Sequence, residues 1–192
     1  MVVMTEGVVP NKRAVFAIVE QGTEVLLVAN KRRAGRIKWS LPGGSVHGTE
    51  SPLERLKKEV SQETGIEVTN WSEEAIYTSL VKYRGTSNDL DRFTEVYQAQ
   101  PGCWDWRNGR ATDPEDLLRF EDVDHFGAVA GFFSDLPPAG SLVKNLRRYV
   151  REPILDWRSL PWEGPRHYEY LVGGRGPDRT VERLVPPECH HR

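Results

Sequence analysis

Residues 41–66, LPGGSVHGTESPLERLKKEVSQETGI, combine a glycine turn with a helix whose two ends are both written into the sequence. Ser51 is a good N-cap, Pro52 falls at the first helical position, and Glu54 completes a capping box three residues after Ser51. Gly65 supplies the stop. Between those ends Leu53, Leu56, Val60 and Thr64 recur at helical spacing on one narrow stripe, which predicts a helix packed by that stripe on the rest of a domain. Such a helix needs a layer to cover.

Glu59, Gln62 and Glu63 stand at i, i+3 and i+4, so two carboxylates and an amide oxygen converge at one edge of the stripe. Upstream, Leu41-Pro42-Gly43-Gly44 is a turn whose glycines lack Cβ, which lets backbone groups approach an ion or a phosphate closely. Hard oxygen donors beside a bare backbone suit magnesium and a pyrophosphate. Ordinary solvated charges are the plainer reading of the same glutamates.

This stretch resembles the Nudix hydrolases, whose signature runs Gly, five residues, Glu, seven residues, Arg-Glu-aliphatic, one residue, Glu-Glu, one residue, Gly-aliphatic. Gly44, Glu50, Glu59, Val60, Glu63, Gly65 and Ile66 match it at full spacing, and Trp39-Ser40-Leu41-Pro42-Gly43-Gly44 looks like the usual lead-in. Lys58 stands where the family has Arg, and Gln62 where it has the first Glu of the final pair. The resemblance implies that the Gly44 carbonyl, Glu59 and Glu63 hold magnesium, or manganese in its place, with Gln62 as a neutral ligand and Glu50 in the outer part of the site. Lys58, Glu59 and Glu63 would be the catalytic set, Lys58 orienting the glutamates. Its implied reaction is metal-dependent hydrolysis of a pyrophosphate bond, in a nucleoside triphosphate or a nucleoside diphosphate joined to another group, with release of a nucleoside monophosphate. An amide brings no charge to a metal cluster and an ammonium is no bidentate clamp, so the alternative is a weakened module that binds or senses nucleotide.

The remaining chain supplies the sheets. Residues 13–20 and 24–29 are short apolar runs around Gln21-Gly22-Thr23, which predicts a strand hairpin. Next comes a basic loop, 31–36, in which Arg33 or Arg36 could hold a phosphate or be solvated surface. Strands are expected at 66–68, 74–83, 92–98 and 128–133, with a second helix at 141–151. The order suits an α/β/α sandwich with a mixed sheet in a Nudix-like domain over 1–155. Beyond Pro153 the pattern becomes an irregular connector docked by Trp157 and Trp162. It leads to a terminal β-hairpin, 168–172 with 180–185, and residues 156–192 pack on the sandwich or on the partner of a homodimer.

Several side chains have two readings. Trp39 and Trp104 are candidate substrate contacts together with Arg36; Trp104 or Trp106 could stack on a nucleobase or pack its loop down. Among Asp113, Glu115, Asp116, Glu121, Asp122 and Asp124 one acid would complete the metal site, as the resemblance implies, and His125 is a proton carrier or a structural histidine. The ending Cys189-His190-His191 is a loose metal ligand set or a frayed terminus. Over 192 residues the net charge is only −2, which argues against an extended nucleic-acid surface and for a small nucleotide or nucleotide-linked substrate. No run is apolar enough for a signal or a membrane span, and Cys103 and Cys189 lack metal-ligand spacing, so a cytoplasmic protein with reduced thiols is expected.

Overall fold

The structure, a computed structural model, describes residues 10–31, 37–85, 89–106, 129–133, 146–174 and 179–185. Arg33, Arg36, the six acids between Asp113 and Asp124, His125 and the Cys189-His190-His191 ending lie outside them.

β1 (Lys12–Ile18) is apolar on both faces: Val15 and Ala17 join one core, Ile18 the other, with Phe16 packed against it. A strand of that kind is buried only as an interior strand. It therefore pairs with β5 (Gly43–Val46) on one side and β8 (Leu90–Gln98) on the other. The hairpin expected from 13–20 is correspondingly shorter, since only β2 (Glu20–Gln21) pairs with β3 (Glu24–Lys31) around Gly22. β4 (Ile37–Ser40) returns along β3.

After β5 come α1 (Pro52–Thr64), β6 (Ile66–Val68), β7 (Tyr77–Tyr83), β8, β9 (Trp104–Trp106) and β10 (Val129–Phe133). α2 (Arg148–Ser159), β11 (Arg166–Gly173) and β12 (Thr180–Val185) complete the order. Six strands form one sheet, β12-β11-β7-β8-β1-β5, mixed because β1 with β8 and β7 with β11 are parallel. β10-β3-β2 with β4 forms a second sheet, and β6 pairs with β9. Leu56 and Val60 of α1 share a core with Val15, Ala17, Leu26 and Val28. Tyr149 and Ile154, from α2, share the other with Tyr77, Val81, Tyr168 and Tyr170. The two helices thus cover opposite faces, and the architecture is the α/β/α sandwich with a mixed sheet.

Helix α1 has the expected bounds but not the expected cap. Ser51 makes no side-chain cap bond; its carbonyl accepts from Arg55 N at 3.0 Å, and Glu54 is exposed. Pro52, with its fixed φ, sets the entry without a capping box. At the other end Gly65 is left-handed, φ 71°, and donates to Ser61 O at 3.0 Å.

Of the helix expected at 141–151, residues 141–145 lie outside the described residues; α2 runs from Arg148 on to Ser159, and the irregular connector begins only at Leu160. Pro153 inside the helix removes one backbone bond, yet Tyr149, Pro153 and Ile154 are buried, and packing of this face outweighs the lost bond. Trp157 and Trp162 do dock the connector, edge to face at 4.9 Å, with Trp162 Nε1 donating to Ile76 O at 3.2 Å. The terminal hairpin becomes sheet, since β11 lies parallel to β7 from Arg166 opposite Tyr77 to Val172 opposite Tyr83. Among the described residues no helix is long and apolar enough to cross a membrane.

Candidate functional site

The turn before α1 is held by its own lack of side chains. β5 runs antiparallel to β1 with Gly43 opposite Phe16 and Gly44 opposite Val15. At Gly43, φ is +140°, and a Cβ there would run into the Val15 carbonyl and sit 2.7 Å from Phe16 Cα. At Gly44 a Cβ would lie 2.7 Å from Glu59 Cδ and Oε1. The Glu59 carboxylate therefore rests against a glycine backbone. One turn along α1, Glu63 accepts from Gly43 N at 2.8 Å through Oε2. Two carboxylates thus flank a single glycine pair.

Glu50 and Glu59 each have a cationic partner, though for Glu59 it is not the one expected. Lys58 Nζ bonds Glu50 Oε1 at 2.9 Å, and Arg55, which sequence reasoning passed over, forms the ion pair with Glu59. The only advance signal for Arg55 was its i,i+4 spacing to Glu59. Glu59 is 14% exposed, whereas Gln62 is exposed to solvent. The hydrogen bond from Lys58 holds the Glu50 carboxyl below its ordinary value, against a desolvation that would raise it and with help from the charges of Lys58, Arg55 and His47. A depressed folded-state pKa means this contact favours the fold above the ordinary glutamate range and is lost as pH falls through the lowered value. Lys58→Met is expected to move the Glu50 titration upward in an NMR pH series; an unmoved titration would refute the pairing.

Glu63, Gly43 and Gly44 form one end of a cavity of about 250 Å³. Its floor alternates along the strands, with Ala14 and Phe16 from β1, Ser79 from β7, and Thr94 and Val96 from β8. Trp39, buried and edge-on to Phe133 at 4.9 Å, is part of the wall. At the far end stand Arg92, Arg147 and Tyr149. Burial would raise the Tyr149 phenol, but Arg92 and Arg147 beside it hold it below the usual tyrosine range, while burial pushes Tyr83 up to about 12. Trp104 is not among the lining residues: it stacks on Phe132 at 5.3 Å, meets Trp106 edge-on and donates to Glu20 O at 3.2 Å.

The NUDIX domain family matches residues 10–127 of the chain. The chain belongs to the Nudix family. Among solved structures, a Nudix hydrolase from Nitrosomonas europaea aligns with a TM-score of 0.52 at 23% identity, over 77% of this chain and 88% of that one. A MutT Nudix hydrolase from Burkholderia pseudomallei aligns at 0.51 and 20% identity, over 78% and 98%. These likenesses show a shared fold. No curated protein matches the chain.

Nudix hydrolases in general depend on a divalent metal, and the donors here suit one. Among the described residues no three acidic, histidine or cysteine side chains gather. Magnesium needs fewer, since it takes one or two carboxylates and fills its octahedron with water and substrate phosphate. Glu59 and Glu63, with the Gly44 backbone against the Glu59 carboxylate, are the residues that would hold it.

Proposed function

We propose that this Nudix protein is a metal-dependent pyrophosphohydrolase acting on a nucleoside triphosphate or a nucleoside diphosphate-linked compound, with release of a nucleoside monophosphate. One observation carries the reading: Glu59 and Glu63 flank the Gly43-Gly44 backbone, and Glu63 with both glycines lines a cavity of about 250 Å³. That cavity is small, but it is bounded by an aromatic wall and strand side chains, which suit a base or a sugar.

The chemistry must bring water to an already anionic phosphorus and release a more anionic product. Magnesium or manganese, held by Glu59, Glu63 and the Gly44 carbonyl, would supply positive charge and a more acidic water when bound. Glu59 would take the proton of the attacking water, its orientation held by the ion pair with Arg55. Glu63 is oriented by the Gly43 N–H. Lys58 acts one step out, by holding Glu50. Trp39 is a wall for the bound nucleotide, whereas Trp104 has given one ring face to Phe132.

Gln62 favours a second reading. Its neutral amide is exposed, so the site has two glutamates from the end of α1 where the signature has three. A sensor would bind nucleotide and form no product. Gln62→Glu is expected to lower the magnesium concentration for half-maximal activity by roughly threefold to tenfold, the scale of one added charge at a partly solvated cation. A magnesium titration that does not move would remove Gln62 from the site.

The deciding experiment is a screen of nucleoside triphosphates, sugar nucleotides, ADP-ribose and dinucleotides with magnesium or manganese, followed by product chromatography. Cleavage that disappears in Glu63→Gln establishes the enzyme. Saturable binding with no product establishes the sensor instead.

A further inference from the structure

The end of the cavity remote from Glu63 carries positive charge that hydrolysis of a pyrophosphate does not require. Arg92, Thr94 and Val96 share one face of β8 and all line the cavity. The Arg92 guanidinium lies 5.3 Å from the ring centre of Tyr149 and 5.9 Å from that of Tyr83, and its Nε is buried without a hydrogen-bond partner. Arg147, at the head of α2, lies 5.6 Å from the Tyr149 ring centre and donates to the hydroxyls of Tyr149 and Tyr83. Those hydroxyls are 2.9 Å apart.

Among the described residues this cluster has no anion. Arg84, by contrast, is neutralised by Asp91 at 2.6 Å and Arg183 by Asp156 at 3.2 Å. Among the described residues no carboxylate pairs with Arg92 or Arg147. Two guanidiniums gathered in one half-buried pocket repel each other, and tyrosine faces offset only part of that cost. A dianion that accepts from both forks would offset the rest.

Strand register sets the span. Gly43 lies opposite Phe16 and Phe16 opposite Val96, four residues before which stands Arg92. That is roughly 13 Å along β8 and about 10 Å across two strand spacings. Once the long arginine side chain is allowed for, on the order of 10 Å separates the glutamate end from the guanidiniums, about the length of a nucleoside.

We infer that the Arg92–Arg147 cluster binds a second phosphate monoester on the substrate, at the end remote from the scissile pyrophosphate. This rests on the proposed hydrolysis for the position of the pyrophosphate. It narrows the substrate class to nucleotide pyrophosphates that carry an additional phosphate, for example on a ribose hydroxyl. A neutral base or sugar leaves the two cations uncompensated.

The test uses matched compounds that differ by one phosphate: NADP against NAD, and coenzyme A against dephospho-coenzyme A. Wild type is expected to favour the phosphorylated member of at least one pair by about tenfold or more in kcat/KM, mainly through KM. In Arg92→Gln and Arg147→Gln that ratio should fall to within about twofold, and Arg92→Lys, which keeps the charge without the fork, should fall between. A purely structural role would lower thermal stability and slow both members alike, so the ratio would stand. Calorimetry with adenosine 2′,5′- and 3′,5′-bisphosphate against AMP reads the same preference without turnover. An arginine-dependent bisphosphate preference with no hydrolysis would uphold this inference and sink the proposed reaction. Hydrolysis with no phosphate preference in either assay, or a preference that survives both glutamine variants, would overturn the inference and leave the reaction standing.

Discussion

Glu63→Gln is expected to lower kcat by at least about 10²-fold, the scale of removing one charged group from a transition-state site, while the protein stays folded. The two effects separate because the proposed reaction gives Glu63 a second task beside its structural one. Its Oε2 accepts from Gly43 N at 2.8 Å, which positions the turn, and a glutamine carbonyl can accept the same bond. Its negative charge, by contrast, has no substitute in an amide. Turnover with the compound found by the substrate screen is the first measurement, and thermal unfolding is the control. Undiminished kcat with unchanged unfolding would sink the assignment of Glu63 to the reaction.

The largest stability effect is expected at Gly43. A Cβ there meets the Val15 carbonyl and lies 2.7 Å from Phe16 Cα, and both obstacles are backbone of the interior strand β1. Neither can swing aside, and φ of +140° is itself strained for any side chain. Gly43→Ala should therefore cost roughly 3 kcal/mol or more, a drop of about 6–12 °C in Tm for a chain of this size. Gly22→Ala is the control, because Gly22 has φ +59° but nothing within 4 Å of its missing Cβ. It should cost only about 1 kcal/mol. Equal stability of the two variants would mean that β5 does not sit on β1 in the register described. Gly44→Ala differs again, since its clash is with the Glu59 side chain, so it perturbs the carboxylate more than the sheet.

The strands and the first helix were legible wherever a local signal was complete. Pro52 and Gly65 bound α1 because each acts through its own backbone geometry. The capping box failed since Ser51 and Glu54 had to find a particular rotameric arrangement that Pro52 made unnecessary. The end of α2 was misplaced for a related reason: Pro153 reads as a stop to a local rule, but the buried face of Tyr149 and Ile154 carries the helix past it.

By itself, then, the sequence determined the family, the bounds of α1 and the one-turn spacing of Glu59 and Glu63, all of which depend on residues near one another in the chain. Tertiary structure alone decided that those carboxylates meet Gly43 and Gly44, that Trp104 faces Phe132, and that Arg92 and Arg147 line the same cavity. The reason is register. A slip of one residue between β1 and β8 would turn Arg92 to the opposite face of the sheet, and register is chosen by burial summed over both cores rather than by any local residue pattern.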